Sequence, residues 1–165
     1  TAPDAPAAAP GAANGKADAA SVQAALRAAP APRPLATCDL PGPTGESNRL
    51  TRITRAPLLC LGPGAKAVAA QMRAVEALGG HAVPVPGSLA AEALTSLSGF
   101  SAALWWGDAE TARRLAQALA ARKGPILPLI TAMPDRAHVA HERHVCVDTT
   151  ASGGNAALLA EAGSA

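Results

Sequence analysis

A glycine-rich turn is the first feature that could do chemistry. Residues 62–67 read GPGAKA and fit the dinucleotide-binding pattern G-x-G-x-x-A, between an apolar run and a stretch with helical spacing. Such a loop brings a pyrophosphate against backbone amides at a helix N-terminus. However, Pro63 lacks an amide proton, and residues 83–87 contain no Asp or Glu to bind a ribose. We expect a turn without a ligand, with a free-standing nucleotide-binding module as the alternative.

Three histidines form a second candidate site. His138, His141 and His144 recur every third residue, and side chains that share one face of a helix can ligate a metal. The surrounding pattern predicts a helix over residues 134–142, so His138 and His141 would share a face and His144 would fall at the helix end. A solvated helix face is the simpler interpretation. We therefore predict no metal site.

The cysteines and the composition exclude several classes of protein. Cys38, Cys60 and Cys146 form no C-x-x-C motif, so the sequence supports neither a zinc ribbon nor a disulfide framework. Cys60 and Cys146 lie in apolar runs, which predicts two buried strand residues and a reducing, cytoplasmic compartment. The net charge of +2 and the aromatic content of 2% argue against a nucleic-acid partner. No apolar stretch approaches the length of a membrane-spanning helix.

The elements that would position these residues begin after a biased segment. Residues 1–39 are rich in alanine and proline, which predicts a disordered or extended linker with one possible helix over residues 18–29. Val22 and Leu26 would share a face of that helix, but a short helix needs a surface to lie on.

Beyond residue 56, short apolar runs alternate with helical patterns. One predicted helix starts at Ser88, another is capped by Asp108, and a weak helix closes the chain. The alternation predicts βαβ units, and hence a small Rossmann-like three-layer α/β domain with a mostly parallel sheet. Strands are predicted over residues 57–61, 81–85, 102–106, 126–130 and 145–147, and the main helices over 65–78, 109–122 and 134–142.

Three stretches carry a family resemblance. Residues 40–46 read LPGPTGE and are followed by Asn48, residues 59–61 read LCL, and residues 142–158 read ERHVCVDTTASGGNAAL. In this order, over residues 35–159, they resemble the C-terminal domain of the long proline utilization A proteins, which are bifunctional enzymes of proline catabolism.

The resemblance implies an aldehyde-dehydrogenase-like domain over residues 40–165 that binds no cofactor and catalyses no reaction. The parent enzyme would combine an FAD-dependent proline dehydrogenase with an NAD-dependent pyrroline-5-carboxylate dehydrogenase and would be a homo-oligomer. This domain would pack on the aldehyde dehydrogenase domain of the same polypeptide and help cover its site and substrate tunnel. The implied interdomain contact segment consists of Asp148, Thr149, Thr150, Ala151, Ser152, Gly153, Gly154, Asn155 and Ala156.

One residue of that segment departs from the family pattern. Asp148 stands where the family has asparagine, which adds a charge and removes an amide donor. The departure would either weaken a buried interdomain contact or require a basic group on the partner.

Overall fold

The computed structural model describes residues 15–148. It divides them into two compact units. The first unit contains residues 15–33 and 54–141, and the second contains residues 34–53 and 142–148.

A four-stranded parallel sheet forms the centre of the first unit. The order of its strands is β4 (Ala82–Pro84), β3 (Leu58–Cys60), β5 (Ala102–Leu104) and β6 (Leu129–Ile130). The helices of the unit are α1 (Ala19–Ala28), α2 (Gly64–Ala77), a 3₁₀ helix (Ala91–Thr95), α3 (Ala109–Ala120) and α4 (Arg136–Val139).

The two central strands are buried on both faces. Leu59 of β3 belongs to an apolar cluster with α1, α3 and the 3₁₀ helix, whereas Leu58 and Cys60 belong to a second cluster with α2 and α4. Leu104 of β5 belongs to that second cluster and has no exposed surface. Helices therefore cover both faces of the parallel sheet, and the predicted three-layer α/β fold is confirmed.

The helix at the edge of the Ala/Pro-rich segment reaches this core. Asp18 caps α1 by accepting hydrogen bonds from the backbone amides of Ala20 and Ser21. Val22 and Leu26 are buried in the first cluster, so the sheet layer supplies the surface that this short helix needs. The predicted cap of α3 is also confirmed, because the Asp108 carboxylate accepts the Thr111 amide at 2.8 Å.

Three predicted elements are wrong in extent. Ser88 starts no helix, because its backbone amide donates to the carbonyl of Gly15 and only the 3₁₀ helix Ala91–Thr95 follows. The fourth strand is limited to Leu129–Ile130, and the side chain of Ile126 is 95% exposed. The helix predicted over residues 134–142 ends at Val139, because the chain enters a strand at Ala140.

The second unit contains most of a three-stranded sheet in the order β1-β2-β7. Strand β1 (Pro34–Leu40) pairs antiparallel with β2 (Glu46–Thr54), with Leu40 opposite Asn48, and residues 41–45 form the turn between them. Strand β7 (Ala140–Asp148) lies on the other side of β2. Leu40 and Glu46, which bound the LPGPTGE motif, therefore belong to the two strands of a hairpin.

This placement corrects two predictions. The strand predicted over residues 145–147 does not belong to the parallel sheet, because β7 pairs in the three-stranded sheet. Cys146 is exposed rather than buried, as are all residues of β7 after Ala140. The prediction for Cys60 is confirmed, and its burial raises the pKa of the thiol to about 12. Within residues 15–148, no helix is both long and apolar enough to cross a membrane.

Truncation of a central side chain tests the core. We expect Leu104→Ala to lower the free energy of unfolding by about 2–5 kcal/mol, because the substitution leaves a cavity between β5 and α2. Val145→Ala is the control, and its half-exposed side chain predicts a change within about 0.5 kcal/mol. Urea unfolding followed by tryptophan fluorescence measures both, and equal effects of the two substitutions would contradict the assignment of the core.

Candidate functional site

The glycine-rich turn lies where the sequence predicted it. It connects the end of β3 with the start of α2, and both Gly62 and Gly64 have positive φ angles, of 97° and 72°. A Cβ atom on Gly62 would lie 2.6 Å from the backbone nitrogen of Gly64. The turn therefore requires glycine at position 62 for both its backbone conformation and its close packing.

A buried glutamine closes this turn. The Gln71 side chain has no exposed surface; its Oε1 accepts the Gly62 amide at 3.0 Å and its Nε2 donates to the Gly62 carbonyl at 2.8 Å. The backbone amide of Trp106 donates to the same carbonyl at 2.9 Å. The amide proton of Gly62, which a pyrophosphate would need, is thus already bound within the chain.

Gln71 is a site residue that sequence reasoning missed. Its only signal is its position on α2, three residues after Val68 and four before Val75, both of which are buried. A polar residue within an apolar stripe must find a hydrogen-bond partner, and the nearby turn provides both a donor and an acceptor.

The three histidines are divided between a helix and a strand. His138 lies in α4, where its Nδ1 accepts the Asp135 amide while the Asp135 carboxylate accepts the His138 amide, a capping box. His141 and His144 lie in β7, so the prediction that His138 and His141 share a helix face is wrong. In the part of the chain that the structure describes, no three His, Cys, Asp or Glu side chains are placed to hold a metal ion.

A polar ladder links β2 and β7 in the three-stranded sheet. Asn48 is buried, its Nδ2 donates to Glu46 Oε1 at 2.8 Å, and its Oδ1 lies 3.0 Å from Nε2 of His144. Cys146 Sγ donates to the same Glu46 oxygen at 3.1 Å. These hydrogen bonds, first that from Cys146 and then that from Asn48, lower the pKa of Glu46. The Glu46 contact in turn raises the pKa of the Cys146 thiol.

The predicted contact segment begins at the end of this sheet. Asp148 is the last residue of β7 and is exposed. Thr149, Thr150, Ala151, Ser152, Gly153, Gly154, Asn155 and Ala156 lie outside the described residues. Exposed apolar side chains lie on the two outer strands, namely those of Leu35, Leu40, Val145 and Val147.

Removing the glutamine tests its contribution to the turn. We expect Gln71→Ala to lower the free energy of unfolding by about 1–3 kcal/mol, because the buried amide of Gly62 loses its acceptor. Gln117→Ala, on the exposed side of α3, removes the same atoms and should have little effect. Chemical denaturation measures the difference, and a Gln71 variant as stable as the Gln117 variant would refute this role.

Comparison with known proteins adds an independent result. No protein-family model matches the chain. It is 32% identical over 145 residues to the bifunctional protein PutA of Salmonella typhimurium LT2, and 30% identical over 146 residues to that of Escherichia coli K12. Each match covers 73% of this chain, which spans 11% of the length of either relative.

Solved structures of proline utilization A also match. A variant of the Bradyrhizobium japonicum protein is 27% identical, with a TM-score of 0.43, over 57% of this chain and 13% of that one. Another bifunctional proline utilization A structure is 25% identical, with a TM-score of 0.42, over 67% of this chain and 14% of that one. The sequence matches confirm the resemblance: the chain is homologous to a segment of the bifunctional PutA proteins of the proline utilization A family.

Proposed function

We propose that this chain is the non-catalytic C-terminal domain of a bifunctional enzyme that oxidises proline to glutamate. It packs on the aldehyde dehydrogenase domain of the same polypeptide and helps cover the dehydrogenase site and the substrate tunnel. The observation that carries the proposal is the closed Gly62 turn in a chain homologous to PutA. Because the side chain of Gln71 already occupies the backbone groups of Gly62, the turn favours a structural role over a cofactor-binding role.

The chemistry of the described residues agrees with a supporting role. Cys60 is fully buried and its raised pKa keeps the thiol protonated, so it is a poor nucleophile at neutral pH. The thiol of Cys146 hydrogen-bonds a carboxylate, which opposes formation of the thiolate. Neither cysteine therefore has the low thiol pKa that a dehydrogenase nucleophile needs.

The outer strands of the three-stranded sheet supply a surface for the contact. Each outer strand has an edge that pairs with no other strand among the described residues, and such an edge can accept pairing from another chain or domain. The half-exposed side chains of Val145 and Val147 would lose water on docking, which favours contact with an apolar surface. Strand β7 leads directly into residues 149–156, so the surface and the contact segment are continuous in sequence.

Cofactor binding, oligomeric state and compartment are properties of the parent enzyme. FAD and NAD bind there and not in this chain, and residues 40–165 form the aldehyde-dehydrogenase-like domain. The parent is a cytoplasmic homo-oligomer, and this chain contacts neither nucleic acid nor membrane. The carboxylate of Asp148, where the family has asparagine, adds a negative charge that favours a basic group on the dehydrogenase domain.

A nucleotide-binding module remains the second candidate, because the G-x-G-x-x-A turn stands at a strand-to-helix junction. Under the main proposal, millimolar NAD leaves the melting temperature of the chain unchanged. Binding to the folded state alone would raise that temperature by mass action. Differential scanning fluorimetry distinguishes the two, and a rise that saturates with NAD concentration would favour the module.

Deletion of the contact segment tests the main proposal. In the long polypeptide that carries this chain, we expect removal of residues 149–156 to lower the aldehyde dehydrogenase rate at least about tenfold, since a misplaced cover can cost a hundredfold. The proline dehydrogenase rate should stay unchanged, because that reaction has its own site.

The control is removal of an equally long piece of the Ala/Pro-rich segment, residues 3–10. This deletion should leave both rates unchanged. If the polypeptide without residues 149–156 retains its full aldehyde dehydrogenase rate, the proposed covering role is wrong.

A further inference from the structure

We propose that Asn48 and Glu46 are positioning residues. Through the contacts Asn48–His144 and Glu46–Cys146, which we call the pin, they hold strand β7 on the β1–β2 hairpin and so fix the position of the chain at Asp148. The LPGPTGE motif and the asparagine after it would thus act on the contact segment through β7. The consequence for interdomain contact rests on the proposed function, but the pinning contacts lie entirely within the described residues.

Asn48 is buried in a sheet whose other residues are mostly exposed. Its relative exposure is 8%, whereas every residue of β1 and residues 141–148 are exposed. Both ends of its amide are used, the nitrogen by Glu46 and the oxygen by His144. Aspartate has no donor for Glu46, so it could not make both contacts.

Gly42, in the turn between β1 and β2, lies close against the side chain of Asn48. A Cβ atom on Gly42 would lie 2.6 Å from Nδ2 of Asn48 and 3.6 Å from Cβ of Glu46. A side chain at position 42 would therefore collide with the amide that joins Asn48 to Glu46. The glycine of the motif gives the turn room to close over the polar ladder, which ties the motif to Asn48.

The ladder sets the register of β7. Glu46 and Asn48 are two residues apart on β2, and their contacts Cys146 and His144 are two apart on β7, in the opposite order. The two strands therefore run antiparallel with both pairs on one face. A slip of one residue would turn His144 and Cys146 to the other face, and a slip of two would leave one polar group without its partner.

Beyond the buried Ala140, the apolar residues of β7 constrain this register only weakly. Val145 and Val147 are each about half exposed, so burial constrains their position weakly. Directional hydrogen bonds are the specific constraint that remains, and the buried amide of Asn48 makes them costly to lose. The polar contacts thus constrain residues 144–148, where burial of apolar side chains contributes little.

The contacts of Glu46 persist near neutral pH. Hydrogen bonds from Cys146 and Asn48 and the nearby His144 lower the pKa of Glu46, against the effects of partial burial and of the Asp148 carboxylate. Because this pKa is lowered, the stability that the ionised Glu46 contributes is complete above the ordinary pKa of 4.5. It is lost only as the pH falls through the lower pKa of the folded state. The contact is therefore a fixed positioning element.

An exchange of donor and acceptor tests the pin. Asn48→Asp places a carboxylate against Glu46 and should speed hydrogen–deuterium exchange of the β7 amides over residues 144–148 by about tenfold or more. The double variant Glu46→Gln/Asn48→Asp restores one amide facing one carboxylate, with the donor and the acceptor interchanged. Its exchange should return to within about threefold of the wild-type rate.

Two references keep the experiment specific. Asp39→Asn removes an exposed ion pair with Arg49 on the same hairpin and should leave β7 exchange unchanged. The backbone amides of β3 and β5 report global unfolding. If these amides also exchange faster in Asn48→Asp, the experiment uses Asn48→Ala, which adds no charge. The proposed positioning role is wrong if the single variant exchanges its amides over residues 144–148 at the wild-type rate. It is also wrong if the double variant does not restore that rate.

The dehydrogenase rate of the long polypeptide separates this inference from the proposed function. We expect Asn48→Asp to lower the rate and the double variant to recover it. If deletion of residues 149–156 lowers the rate but Asn48→Asp does not, the positioning role is wrong and the covering role stands. If the deletion has no effect, the proposed function is wrong, and the exchange experiment still decides whether β7 is pinned.

Discussion

Burial of the central strands on both faces is the constraint on which the first unit depends. Leu58, Leu59 and Cys60 have at most 1% of their surface exposed, so neither face of β3 can meet water. Helices must therefore lie on both sides, and α1 from the Ala/Pro-rich segment contributes to one of these layers. The tight turn from β3 into α2 follows from the same requirement, and Gln71 satisfies the backbone groups that this turn buries.

The second unit is organised by a different interaction. Its strands carry exposed side chains, and its specific contacts are polar, between Asn48 and His144 and between Glu46 and Cys146. A sheet that buries little of its own surface is suited to docking, because its edges and half-exposed side chains remain available. The first unit thus depends on apolar burial, whereas the second depends on polar contacts between its strands.

The sequence predicted what depends on local pattern. The apolar runs of β3 and β5, the stripe of α2 and the cap at Asp108 are local signals, and the structure contains all of these elements. The partner of β7 depends on pairing between residues about a hundred positions apart, as between Glu46 and Cys146, and no local pattern encodes it. The pattern around the histidines predicted a helix over residues 134–142, and no local signal reveals that this helix ends at Val139. Residues 40–48 indicated a family through resemblance, whereas the contact of Asn48 with His144 joins residues 96 positions apart and has no local signal.

The size of the native polypeptide tests the central claim most directly, since a domain that supports an enzyme within the same polypeptide must be joined to that enzyme. The measurement is an immunoblot of the native source with an antibody against this domain. We expect a band far larger than the 16.3 kDa of this chain. A single band near 16 kDa would contradict this claim and would indicate a free-standing protein.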